Sequence, residues 1–360
     1  MQTPGIGCNL EKRIAIAKEI ATCNPEYMEI GMPANSIDYA MMPEIAKSIY
    51  EVNPDIGIAI LCRNVKSDID KGAEIFTQCK QETKLAHIFI PTSDALLKNS
   101  LGKSKTEVIG RVKEIVPYCK NTIEAEIEFT PEDAAATTDI QFLEDVISTG
   151  IANGATRINI PDTTGWADVI EYAELLLRLT RAFPKYVFHT HTHNDDGCAV
   201  AKTISAIKNG ATCIEGTVLG IGERAGNVDW MVASAGLLHK GYDVRSSMSK
   251  YYSSAKNIAK IIGYDIAKNH PILGSNCYKT SSGIHGKAVA KNTGSYHHFN
   301  PAIIGAPPIE LVLGQTSGEH IVKEKCTEWG YDINSELVEL TKRIKQLGMS
   351  YGEVRKEHII

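Results

Sequence analysis

The chain has 360 residues, 43% of them apolar and 22% charged, and a formal net charge of −5. That length suits one large α/β domain with an appendage, and the composition excludes disordered and fibrous classes. No basic run marks a nucleic-acid groove, and the longest clean apolar stretch, 56–62, is far too short to cross a bilayer.

In chain order, apolar Leu10, Ile14, Ala17 and Ala21 recur at three- to four-residue steps and predict a helix over 10–21. A β-like run follows at 27–31 and a helix at 43–52. The alternation continues with strands at 56–62, 85–91, 122–129, 156–161, 186–193 and 212–219. Helices are predicted between and after them at 67–79, 105–119, 140–152, 167–183 and 199–209. Ser104 and Thr130-Pro131-Glu132-Asp133 read as helix starts. A βα unit recurring about every 30 residues implies parallel strands joined by crossover helices. Seven strands behind a leading helix fit an α/β fold of the TIM (β/α)₈ type without its first strand. Past residue 240 the rhythm stops. Residues 246–263 and two segments within 317–347 read as helices, and 274–308 as polar loops. The expected division is a barrel domain over 1–242, connecting helices over 243–275 and a small helical C-terminal subdomain over 276–360.

Nine scattered cysteines form no C-x-x-C pair, and the first five residues show neither a basic start nor an apolar block. Both point to a reducing cytoplasm and away from secretion or a structural zinc site.

The strongest local signal is His189-Thr190-His191-Thr192-His193-Asn194-Asp195. Residues two apart on a strand share a face, so the three imidazoles point one way. Two at i and i+2 can grip one ion, but His189 and His193, about 13 Å apart along a strand, cannot both join. Any one of them alone would read as a buried, hydrogen-bonded histidine. Together, at the C-terminal end of a barrel strand, they point to a metal site. Thr130 and Glu132 follow one strand and Asp162 and Thr163 the next, while His87 lies within 85–91. Each singly is a plausible turn or cap residue; their convergence on one barrel mouth is what suggests a site. Gly220-Ile221-Gly222-Glu223-Arg224-Ala225-Gly226-Asn227 has the wrong spacing for a dinucleotide loop. Glu223 could pair with Arg224, and Asn227 could cap a helix.

Phe129-Thr130-Pro131-Glu132-Asp133, Ile160-Pro161-Asp162-Thr163-Thr164-Gly165, His191-Thr192-His193-Asn194-Asp195 and Gly222-Glu223-Arg224-Ala225-Gly226-Asn227 follow one another along the chain. The set resembles the metal-dependent acyl-CoA condensing enzymes: 2-isopropylmalate, homocitrate and citramalate synthases, with 3-hydroxy-3-methylglutaryl-CoA lyase as a relative. Ser282-Gly283-Ile284-His285 and Leu313-Gly314-Gln315-Thr316-Ser317-Gly318 resemble the synthases' C-terminal subdomain.

The resemblance implies Claisen-type condensation of acetyl-CoA with a 2-oxo acid, releasing CoA, in a homodimer with neither nucleic acid nor membrane as partner. It implies a divalent ion (Mg²⁺, Mn²⁺ or Zn²⁺) held by His191 and His193, with Asn227 as a weaker ligand. His87, Thr130 and Thr163 would line the 2-oxo acid pocket, Glu132 and Glu223 would sit beside the reacting groups, and His285 would reach a neighbouring subunit's site. The family also opens on a strand carrying Arg-(Asp or Glu)-Gly-x-Gln. Met1-Gln2-Thr3-Pro4-Gly5 matches only its tail, which would put the catalytic arginine and the metal-binding acid before residue 1. Asp196 is a further departure, adding a charge where these synthases usually carry an apolar residue.

Some segments look like homocitrate synthase (Gly197-Cys198-Ala199, Gly286-Lys287-Ala288) and others like isopropylmalate synthase (Arg224-Ala225-Gly226-Asn227). 2-Oxoisovalerate is the expected substrate, ahead of 2-oxoglutarate and pyruvate. A lyase is disfavoured by the Ser282–His285 stretch and the long tail. A non-catalytic homologue that binds a metabolite or an intact synthase is the reading from another class.

Overall fold

The β-like runs assemble into one parallel sheet. The computed structural model describes residues 3–297, 299–333 and 335–359. The chain divides into two units, Met1–Tyr264 and Asp265–Ile360. Among the described residues the first unit begins with α1 (Leu10–Ala21), β1 (Tyr27–Glu29), α2 (Ser36–Val52), β2 (Gly57–Arg63), α3 (Lys66–Gln78) and β3 (Lys84–Pro91). A helical turn, α4 (Asp94–Leu96), precedes α5 (Lys105–Thr122), β4 (Glu126–Glu132), α6 (Ile140–Ala152), β5 (Arg157–Asp162) and α7 (Val169–Ala182). Then come β6 (Val187–Thr192), α8 (Ala199–Lys208), β7 (Cys213–Glu215), α9 (Trp230–His239) and α10 (Tyr251–Ile262).

The strands lie in sequential order, β1 to β7, each paired in parallel with the next. That is the TIM-barrel order, with β1 and β7 as its two edges. The sheet is curled. Arg157 of β5 crosses the interior to Glu26, next to β1, at 2.9 Å, and the same carboxylate lies 3.9 Å from Cys213 Sγ of β7.

Packing decides which face each residue takes. On β6, Thr190 meets the Tyr172 hydroxyl of α7 and Thr192 meets Thr203 of α8, both at 2.9 Å. Those contacts send the even-numbered residues outward, so His189 and His191 face the interior. On β4, Ile127 and Phe129 pack in the apolar core, leaving Glu128 and Thr130 inside the barrel.

Two expectations change. Helix α2 begins at Ser36 rather than 43, because the Asn35 side chain accepts from the Ile37 and Asp38 N–H groups, and Pro43 sits inside it. Thr130, Pro131 and Glu132 are strand rather than a helix start, since pairing with β3 runs on to Pro91 and Glu132. A 3₁₀ turn at Ala134–Ala136 follows.

The second unit holds β8 (Lys279–Thr280), α11 (Gly283–Lys291), β9 (Glu310–Leu311), α12 (Glu319–Glu328) and α13 (Leu337–Tyr351) around Leu313, Ile321, Val322, Cys326 and Ile344. The stretch expected to be loop thus contains a nine-residue helix. Among the described residues no helix is long and apolar enough to cross a membrane. All nine cysteines are free thiols.

Candidate active site

The barrel order brings the C-terminal ends of β3 to β7 to one mouth. On β6, His191 lies inward, and His193 follows in a bridge to Asn227. The Asn227 amide nitrogen is 3.1 Å from His191 Nε2 and 3.4 Å from His193 Nε2. The two rings are tilted, with centroids 5.3 Å apart. Burial, followed by the nearby His191 and Arg224, lowers the His193 pKa to about 4, so its ring is neutral.

The loop that presents Asn227 is tight. Its backbone N–H bonds the Gly220 carbonyl at 2.9 Å. A Cβ on Gly222 would overlap Asn227 Oδ1, and one on Gly226, at φ +94°, would overlap the Gly220 carbonyl. Gly226 is therefore required for the close approach of chain to chain, while Gly222 leaves room for the Asn227 side chain. Asn227 is not a helix cap; Asp229 caps α9, accepting from Met231 and Val232. Nor does Arg224 need Glu223: its guanidinium holds Asp195 at 2.9 and 2.8 Å and donates to the Thr163 carbonyl at 2.6 Å.

Deeper in the barrel lies a polar layer that the motifs did not flag. Glu215 of β7 accepts from His189 Nδ1 (2.9 Å), His191 Nδ1 (3.2 Å) and Asn159 Nδ2 (2.9 Å). Glu128, buried on β4, faces it. Burial and then the Glu215 charge raise the Glu128 pKa. His189 Nε2 accepts from Arg157 at 3.4 Å. His87, Glu128 and Glu215 place one ligand atom each within 4.8 Å of one another, a second group that could hold a metal. The available signal was alternation: Glu128 stands two residues before Thr130, on the same strand face.

His87 joins this layer to the mouth. Its Nε2 is 2.6 Å from the Thr130 hydroxyl and its Nδ1 3.3 Å from Glu29. Burial opposes the imidazolium, but Glu128, Glu29 and Glu215 outweigh it and raise the pKa to about 9. Thr163 Oγ1 accepts from the Asp133 N–H at 3.1 Å and keeps its own proton to donate. Glu132, at the end of β4, is half-buried; burial and then Asp133 raise its pKa. Glu223 lies half-buried in the Asn227 loop, where its carbonyl accepts from the Gly226 N–H at 2.8 Å. His285 belongs to the second unit, exposed on α11 with its ring 4.2 Å from that of Tyr296. Asp196 adds no free charge: it pairs at 2.8 Å with Lys202, which also holds Asp162.

The donor set at the mouth suits a divalent ion. Two Nε2 atoms meet one carboxamide at about the spacing that neighbouring ligands of one ion adopt, and the neutral His193 ring keeps a lone pair for it. Turned end for end, the Asn227 amide offers its oxygen to that point.

Comparison with known proteins agrees with this architecture. The profile of the HMGL-like family matches residues 1–258, and that of the homocitrate synthase post-HMGL domain matches 272–351. The 2-isopropylmalate synthase of Staphylococcus epidermidis is 36% identical over 96% of this chain and 68% of its own length. That of Listeria monocytogenes is 33% identical over 99% of this chain and 70% of its own. The HMG-CoA lyase structure from Bacillus subtilis superposes with a TM-score of 0.60 at 18% identity, covering 74% of this chain and 97% of that one. That from Brucella melitensis gives 0.60 at 16%, covering 73% and 94%. With both family profiles matched in order and synthases similar along nearly its whole length, this chain belongs to the HMGL-like family, within the 2-isopropylmalate and homocitrate synthase group of acyltransferases.

Proposed function

We propose that the protein condenses acetyl-CoA with a 2-oxo acid, 2-oxoisovalerate being the first choice. The observation that supports this is the meeting of His191, His193 and Asn227 beside a cationic His87 and two hydroxyls at one barrel mouth. His191, His193 and Asn227 would hold a divalent ion, Mg²⁺, Mn²⁺ or Zn²⁺. That ion would act as a Lewis acid on the 2-oxo acid carbonyl.

The chain's own residues supply the rest. His87, protonated at neutral pH, and the Thr130 and Thr163 hydroxyls offer hydrogen bonds to the substrate carboxylate. Glu132 and Glu223 are the candidate acid and base. One removes a methyl proton from acetyl-CoA, and the resulting carbanion attacks the ketone carbon. The new alkoxide takes up a proton, and water then cleaves the thioester to carboxylate and free CoA. A carboxyl with a raised pKa, as at Glu132, is suited to proton transfer near neutrality. In a cytoplasmic homodimer, His285 would come from the partner's C-terminal unit.

The homocitrate-type match over 272–351 favours 2-oxoglutarate as second substrate. A thiol-release assay with 2-oxoisovalerate, 2-oxoglutarate and pyruvate, each with Mg²⁺, Mn²⁺ or Zn²⁺, tests the reading. CoA release that needs both an acid and a metal is expected. No release with any combination sinks it and leaves a metabolite-binding homologue.

A further inference from the structure

We infer that Glu215 is a positioning residue that fixes which nitrogen His191 turns to the bound ion. This rests on the reading that His191, His193 and Asn227 hold the divalent ion. Glu215 stands directly across from His191 in the register of β6 and β7. It lies on a three-residue edge strand, yet its carboxylate is held from three sides. His189 fixes Oε1, while Asn159 and His191 fix Oε2.

The consequence follows from imidazole chemistry. A neutral ring carries one N–H and one lone pair. Glu215 accepts only, so the His191 hydrogen sits on Nδ1 and the lone pair on Nε2. Nε2 is the atom that faces Asn227, 3.1 Å away. The carboxylate also makes Nε2 more basic and brings a negative charge next to a donor set of two imidazoles and an amide, which has none. Glu215 acts on one ligand only. His193 Nδ1 is buried without a partner, so nothing equivalent orders that ring. Removing Glu215 should weaken the site without abolishing it. With both its oxygens already occupied by donors, Glu215 is poorly placed to be a ligand itself in the His87–Glu128–Glu215 group.

The test uses metal-stripped full-length protein titrated with Mn²⁺, free ion being followed by electron paramagnetic resonance. H191A should lose binding outright. E215A should weaken it roughly 10- to 100-fold. E215Q, which keeps an acceptor, should recover part of that loss. E128Q should bind as the wild type does. Long-range ¹H–¹⁵N spectra of the metal-free protein should show His191 as the Nδ1–H form in the wild type and a mixture in E215A. A purely structural role for Glu215 would not change that ratio; should E215A fail to fold, E215Q provides both readouts. Unchanged affinity and tautomer in E215A, with binding lost in H191A, overturns the positioning role and leaves the metal reading standing. Full affinity in H191A overturns the metal reading itself. Loss of binding in E215A and E128Q alike makes Glu215 a ligand and also overturns the inference.

Discussion

Lys202 and Asp162 are both completely buried, with Nζ and Oδ2 2.6 Å apart. The other oxygen of Asp162 accepts from the Trp166 N–H at 2.8 Å and closes the turn that follows β5. Thr163 stands in that turn. K202M would leave Asp162 buried beside no cation, at a cost of about 3–5 kcal/mol. The double variant D162N/K202M should lose distinctly less than the two single losses added together. Urea unfolding of the four proteins measures this, and additive losses would show that the pair is uncoupled.

The two loop glycines should fail in different ways. G222A pushes against a side chain, Asn227, which can swing aside. It should cost under ~1 kcal/mol of stability and yet reduce Mn²⁺ affinity at least roughly tenfold. G226A meets backbone and also needs a left-handed residue. It should cost about 1–3 kcal/mol. Thermal denaturation and metal titration of both variants separate the two effects; equal stability losses would contradict the assignment.

His87 gives a pH dependence of known sign. Its pKa is raised from 6.5 to about 9 by Glu128, Glu29 and Glu215, which face it across the barrel. The folded protein therefore binds the extra proton between these values. The stabilisation is complete below pH 6.5 and is lost as pH rises through about 9, on the order of 3 kcal/mol. Unfolding free energy measured from pH 6 to 10 should decline over that window, and H87Q should reduce the slope. An unchanged slope in H87Q would assign the proton to another group.

Arg224 links Asp195 to the Thr163 carbonyl at the rim. The pair is partly exposed, so R224A should change stability by less than ~1 kcal/mol. If Thr163 binds the 2-oxo acid, the loosened turn should raise KM for that acid roughly tenfold, with a smaller change in kcat. Steady-state kinetics against unfolding data checks the split. A loss confined to stability would make Arg224 a surface brace.

The order of elements was legible in the chain because period-two and period-3.6 apolar patterns are local properties. Seven βα repeats sufficed for the parallel barrel, and the spacing of His191 and His193 sufficed for their shared face. Element boundaries were less legible: the cap at Asn35 starts α2 at Ser36, ahead of the expected 43, and partner-strand pairing carries β4 through Pro131. Of the interior polar layer only His189 was legible. Glu128, Asn159, His189 and Glu215 lie on four different strands, 87 positions separating the outermost two. Only the curling of the sheet puts them in one layer, and only burial makes their charges act on one another. Asp196 shows the same limit. In sequence it is an added negative charge; in the fold it lies against Lys202, whose partner Asp162 comes from another strand. A charge's local sequence states its sign, and the tertiary structure decides what it faces.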